Sequence, residues 1–289
     1  MANAEQHAPL PADAPAAEIG IIGGTGLYAL VDDLAEVAVD TPYGPPSDSL
    51  FVGRFGGRRV AFLPRHGREH RIPPHRINYR ANLWALRSLG VRQVLGPCAT
   101  GGLLPEYGPG TLLVPDQFVD RTSGRSQTFY DGERRGDGLL PEVVHVSSAD
   151  PYCPAGRLAA LKAAGAAGWE PVDGGTLVVV EGPRFSTRAE SRWYGAQGWS
   201  VVGMTGHPEA VLARELGLCY TSVAVVTDLD AGVETGEGVT HTEVLRVFAG
   251  SIDRLRGVLT GAVSGLPATA DRDCVCSHAL DGLETGLGF

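Results

Sequence analysis

The amino-acid sequence predicts an α/β protein folded as one domain, a sheet flanked by helices, and three observations predict it. Runs rich in β-branched residues alternate with amphipathic helical patterns along the chain. No internal repeat or linker divides the 289 residues after an Ala- and Pro-rich start. The composition, 43% hydrophobic and 20% charged, is that of a chain able to fill a large core.

The elements follow in order. Strand-like runs are "EIGII" (18–22), "RRVAFL" (58–63), "VRQVLGPCA" (91–99), "GTLLVPDQFV" (110–119), "GTLVVVEG" (175–182), "WSVVGMT" (199–205) and "LCYTSVAVVTD" (218–228). Between them, helical spacing marks 78–90, 155–168, 186–198 and 207–217. The fourth has Thr205-Gly206 ahead of it, Pro208 in its first turn and Gly217 as a stop. A last amphipathic helix over 240–259 carries Val244, Leu245, Phe248, Ile252 and Leu255 on one stripe, read as core.

The ends read differently. Residues 1–17 lack a basic start and an apolar segment, so they are a disordered tail and not a signal peptide. Domain residues 18–262 follow, and 263–289 form an extension that packs on the domain or on a neighbouring subunit. No run approaches the ~20 apolar residues of a membrane span. Net charge −9 argues against a nucleic-acid partner. Five scattered cysteines in a chain without an export signal fit a reducing cytoplasm. The pair Cys274-Val275-Cys276 would be a redox pair or half of a metal site, but no second ligand pair is evident nearby apart from His278, and it reads as structural.

The chemistry begins at Gly23-Gly24-Thr25-Gly26, where a strand stops at a glycine turn whose backbone N–H groups suit a phosphate. Gly24 to Ala29 formally satisfies a dinucleotide-binding pattern. Such a site wants an acidic residue about 20 positions on, at the end of the next strand. That region is punctuated by Pro and Gly, and "RRVAFL" ends in Pro64-Arg65-His66-Gly67, cations where the acid belongs. The turn therefore serves a free phosphate better than a dinucleotide. Residues 65–80 add five Arg and three His against the lone acid Glu69.

Polar groups sit at five strand ends: Thr25, Arg65-His66, Cys98-Ala99-Thr100-Gly101-Gly102, Met204-Thr205 and Thr227-Asp228-Leu229-Asp230. Ligands of α/β sheets collect at strand ends, so these would meet in one pocket, cationic and hydroxylic on one side and acidic on the other. Taken alone, the Asp-x-Asp serves equally as a helix cap, a metal-ligand pair or a catalytic pair.

Longer motifs narrow the choice. "GIIGGTGLY", "DTPYGPPSD", "LPRHGREHRIPPHRINYRANLWALRSLGV", "PDQFVDRT", "FYDG", "EGPRFSTRAES" and "GMTGHPEAVLARELGLCY" together resemble the 5'-methylthioadenosine phosphorylase branch of the trimeric purine nucleoside phosphorylases. The resemblance spans 18–258, about four-fifths of the chain. It implies a mixed β-sheet flanked by helices and phosphate-dependent cleavage of a purine nucleoside. It implies no metal or organic cofactor, inorganic phosphate being a co-substrate. By the same resemblance Thr25, Arg65, His66, the Cys98-Ala99 backbone and Thr205 hold phosphate. Met204 meets the ribose, Phe185 packs on the base, and Ser186, Asp228 and Asp230 recognise the purine edge. Asp at position 228 goes with a 6-aminopurine. His145 reaches a neighbouring subunit's 5' pocket in a homotrimer, and Val244 with His241 lines that pocket. Two positions depart from the family. Cys98 stands where Thr is usual, which leaves the backbone to hold phosphate there. His241 stands where an apolar residue usually meets the methylthio group, a pattern that goes with 5'-hydroxyl substrates.

Overall fold

The computed structural model describes residues 16–24, 32–133, 143–232 and 239–287. Among them the strands are β1 (Ile19–Gly23), β2 (Asp32–Val37), β3 (Leu50–Phe55), β4 (Arg58–Pro64), β5 (Gln93–Gly102), β6 (Leu112–Val114), β7 (Gln117–Arg121), β8 (Val172–Asp173), β9 (Thr176–Val180), β10 (Val201–Gly203) and β11 (Cys219–Leu229). The helices are α1 (Tyr79–Ser88), α2 (Pro154–Ala166), α3 (Arg188–Ala196), α4 (Gly206–Glu215) and α5 (His241–Gly265). All strands join one mixed sheet.

β5 is its axis. Its first half pairs parallel with β1 and its last residues antiparallel with β10, while β11 runs parallel along the opposite edge. Strand alternation then sorts the core. Ile22, Leu63 and Val94 face one layer with α1 and α4, and Ile21, Phe62 and Leu95 face the other with α2 and α5.

All five expected helices form, and six of the seven expected strand runs appear as single strands. The run 110–119 does not. Pro115 has no N–H for a ladder, and the chain breaks there into β6, paired with β11, and β7, paired with β9. The hairpin strands β2 and β3 and the two-residue β8 were not expected. β2 reads "DDLAEV", too acidic to stand out as a strand. α5 continues to Gly265, past residue 262. Ala17 is buried in the core, and its amide donates to the Leu89 carbonyl. The segment after α5 lies against the domain: Arg58 and Gln93 donate to Leu266 and Pro267 carbonyls, and Arg272 to those of Arg92 and Gly217. No described helix is long and apolar enough to cross a membrane.

Candidate active site

The ends of β1, β4, β5, β10 and β11 open into a cavity of about 280 Å³. Arg65, His66, Cys98, Ala99, Met204, Thr205, Phe185, Ser186, Asp228, Asp230 and Val244 all line it, so eleven of the fourteen expected residues meet there. Thr25 lies outside the described residues, though Gly24 beside it lines the cavity. His241 opens α5, and its side chain also lies outside what is described. His145 is exposed and does not line this chain's own cavity.

The acidic end is built by a β-bulge. The β11–β5 register shifts between Val226, opposite Thr100, and Asp228, opposite Gly101. Consecutive strand residues normally point to opposite faces, and the extra residue, Thr227, lets Thr227 and Asp228 both reach the cavity. Gly101 permits it, since a Cβ there would sit 2.9 Å from Asp230 Cβ and 3.0 Å from Asp228 Oδ1. β11 ends at Leu229, and Asp230 enters a tight turn whose Ala231 adopts a left-handed φ of 53°. The Ala231 amide and the Ser191 hydroxyl both donate to the Asp230 carboxylate.

Burial pushes the Asp228 carboxyl up to about 6, with the charges of Asp230 and Glu243 adding to it and a Thr227 hydrogen bond opposing. The Thr227 hydroxyl lies 2.7 Å from Asp228 Oδ2 and 3.2 Å from the Thr100 carbonyl. It has one proton and cannot donate to both. When Asp228 carries a proton it donates to Thr227, which then donates to Thr100, and all three groups are satisfied. Burial also raises Asp230. Ser186 Oγ is buried beside Asp230, and its hydroxyl, like that of Ser191, opposes the rise of that carboxyl.

The opposite end is less cationic than the sequence suggests. Arg65 is buried, and Nε and Nη2 grip both oxygens of Glu209 at 2.6 and 3.0 Å. Nη2 also donates to the Ile22 carbonyl and Nη1 to that of Pro97, each at 2.9 Å. Four of the five guanidinium N–H groups are thus engaged by described residues. Burial pulls His66 down to about 4, so the ring is neutral near pH 7. Its Nδ1 donates to the Ile72 carbonyl at 2.8 Å, which makes Nε2 an acceptor. Thr205 is the N-cap residue of α4, yet its side chain makes no capping hydrogen bond and the hydroxyl stays available at the cavity wall. The Cys98 thiol packs among apolar side chains, 3.7 Å from Ser222 Oγ.

Two contributors escaped the sequence reading. The Arg125 side chain is buried and donates to the carbonyls of Val180, Glu181, Met204 and His207 and to the Tyr79 hydroxyl, tying the end of β9 to the Met204–Thr205 wall. Its position in a polar loop gave no signal. The apolar stripe of α5 divides: Leu255 is core, but Leu245 and Phe248 line the cavity beside the expected Val244. Leu245 is 51% exposed, and helical periodicity cannot distinguish a face that meets a core from one that meets a ligand.

Arg65 and the Thr205 hydroxyl face a protonatable carboxyl across one cavity, at the strand ends of a mixed α/β sheet, an arrangement suited to group transfer. The chain belongs to the phosphorylase superfamily, whose pattern residues 18–264 match. It is 73% identical to a purine nucleoside phosphorylase of Streptomyces coelicolor over 94% of this chain and 98% of that protein. It is 51% identical to the S-methyl-5'-thioadenosine phosphorylase of Mycolicibacterium smegmatis, again over 94% and 98%. Among solved structures it is similar to a methylthioadenosine phosphorylase from an antarctic soil metagenomic library. The TM-score is 0.83 at 38% identity, over 92% of this chain and 91% of that one.

Proposed function

We propose that this enzyme cleaves the N-glycosidic bond of a 6-aminopurine nucleoside with inorganic phosphate, converting 5'-methylthioadenosine to adenine and 5-methylthioribose 1-phosphate. The observation that carries this reading is the Asp228 carboxyl, poised at about 6, across one cavity from Arg65 and Thr205. Phosphate lies against Thr25, Arg65, His66, the Ala99 backbone and Thr205, and one of its oxygens attacks C1'. As the C1'–N9 bond breaks, its electron pair passes into the purine. Asp228 donates a proton at N7 while its other oxygen accepts from the 6-amino group. The proton that hydrogen phosphate loses on becoming an ester balances the one the base gains. Asp230 and Ser186 hold the purine edge, Phe185 its face, and Met204 the ribose. No metal or organic cofactor has a step to perform.

The protein works as a cytoplasmic homotrimer in which His145 of one subunit reaches the 5' pocket of the next. Support for sharing comes from the exposure of Val143, at 74%, close to His145, and of Leu245 at the cavity mouth.

A second reading, an adenosine or 6-oxopurine nucleoside phosphorylase, draws on His241 and on the name of the 73% identical relative. A non-catalytic nucleoside binder would not need a reacting phosphate site. Methylthioadenosine, adenosine and inosine assayed side by side, with and without phosphate, separate these. Methylthioadenosine should turn over fastest and only with phosphate. Release that ignores phosphate would indicate a hydrolase, and a preference for inosine would overturn the assignment of Asp228.

A further inference from the structure

Away from the cavity, the described residues hold one other concentration of reactive side chains. Cys153, Cys219, Cys274 and Cys276 bring their four Sγ atoms within 4.8 Å of one another. They arrive from three places: Cys153 is the N-cap residue of α2, Cys219 opens β11, and the other two lie in the segment after α5. Cys219 and Asp228 stand near opposite ends of β11, roughly 30 Å apart at the rise of an extended strand. The cluster is no part of the nucleoside site.

Its geometry is that of a cage. Four sulfurs at ~2.3 Å from a tetrahedral zinc ion lie ~3.8 Å from one another. Cys274 Sγ is 3.8 Å from Cys153 Sγ and 3.3 Å from Cys219 Sγ, in contact with two thiols at once. A disulfide uses each sulfur for one partner, whereas a cage gives each sulfur three neighbours.

The surroundings call for negative charge. Four thiolates around a divalent cation carry a net charge of −2, which needs donors and cations nearby. Arg272 Nη1 donates to Cys219 Sγ at 3.3 Å, and the Gly156 amide donates to Cys153. Ser277 Oγ lies 3.8 Å from Cys274 Sγ, and Arg214 acts on Cys276. Neither Arg214 nor Arg272 has a carboxylate partner among the described residues, and Arg272 Nε is buried without any hydrogen-bond partner. Two buried or half-buried guanidinium groups thus flank the sulfurs with no anion to answer them.

We propose that Cys153, Cys219, Cys274 and Cys276 form a closed tetrathiolate site for Zn²⁺ that clamps the C-terminal segment to the start of β11 and to α2. Binding releases the four thiol protons to solvent, and with all four positions filled by protein the site is structural.

Metal analysis of the full-length protein, purified without added metal, should find close to one zinc per chain. Cys274→Ser and Cys276→Ser should lose it and melt several degrees lower, with kcat/KM within about twofold of wild type below the melting range, because the cavity is remote. Exchange of zinc for Co²⁺ should give the visible absorption and sulfur-to-metal charge transfer of tetrahedral thiolate coordination. This reading needs only wild type, so it holds even if a variant fails to fold. Wild type without zinc that takes up no Co²⁺ overturns the proposal. Two forms of that result are distinguishable: a chain four hydrogens lighter in which only Cys98 alkylates on unfolding contains two disulfides, and a chain whose five cysteines all alkylate contains free thiols.

Discussion

Arg65 and Glu209 form a bidentate ion pair at 2.6 and 3.0 Å at the Thr205 end of the cavity, and the Tyr220 hydroxyl closes on the same carboxylate at 2.6 Å. Gly96 makes room for it, since a Cβ there would lie 2.1 Å from that hydroxyl. Breaking a buried pair leaves an uncompensated charge, so Glu209→Ala should destabilise the protein by about 3–5 kcal/mol. Urea unfolding measures this, and a loss under about 1 kcal/mol would mean the pair is not what holds this end together.

Arg65 itself is better tested by Arg65→Lys, which keeps the charge and loses the fork. The phosphate KM should rise about tenfold, the equivalent of one charge-assisted hydrogen bond, while the nucleoside KM barely moves. Equal changes in both would show that Arg65 supports the cavity without meeting phosphate.

Asp228 gives opposite effects on stability and activity. Its carboxyl ionises near 3.9 in the unfolded chain and at about 6 in the folded protein. Between these values the folded state holds a proton that the unfolded state has lost. Stability therefore falls as pH rises through that window, and the full cost, at most about 3 kcal/mol, is present above it. Asp228→Asn should melt above wild type at pH 7.5 and level with it at pH 4, while adenine-nucleoside turnover drops ~100-fold. A variant less stable than wild type at pH 7.5 contradicts the burial argument.

The same titration should appear in the wild-type rate. If Asp228 is the proton donor, kcat/KM declines as pH rises through about 6 in the free enzyme. A profile flat from pH 5 to 8 would assign the donor elsewhere.

Arg125 positions the cavity wall through four carbonyls. Arg125→Lys cannot reproduce a planar fork, so it should raise the nucleoside KM several-fold and lower the melting temperature. Unchanged KM with lowered melting would reduce Arg125 to a stabilising role.

For the 5' group, His241→Val should shift kcat/KM toward methylthioadenosine over adenosine by ~10-fold, one hydrogen bond exchanged for an apolar fit. A constant ratio would place His241 outside the pocket.

Much of this was legible in the sequence, because both the sheet's alternation and the anion chemistry of strand ends are local signals. Arg65, Thr205 and Asp228 stand at such ends and could be named from them. What could not be read depends on partners far along the chain. The charge of Arg65 is quenched by Glu209, 144 positions on, so a wall that looks cationic in sequence is close to neutral. Cys274 and Cys276 read as structural because the cysteines they meet lie 55 and 121 positions from Cys274. The bulge at Thr227 has no compositional mark at all.

That bulge divides β11 into two stretches that answer to different constraints. Before it, Val223, Val225 and Val226 are fixed by the helices and strands they pack on; after it, Asp228 and Asp230 line the cavity. Because the extra residue absorbs the change of face, the two stretches can vary independently. Substitutions in the valine stretch should alter how firmly the sheet holds without altering which base is chosen. Deletion of Thr227 alone would restore the plain alternation and turn the Asp228 carboxyl from cavity to core. A lineage of such proteins can therefore change the acidic end of the cavity by point substitution at the tip of β11, but it cannot change the strand's length by one residue and still keep that end in place.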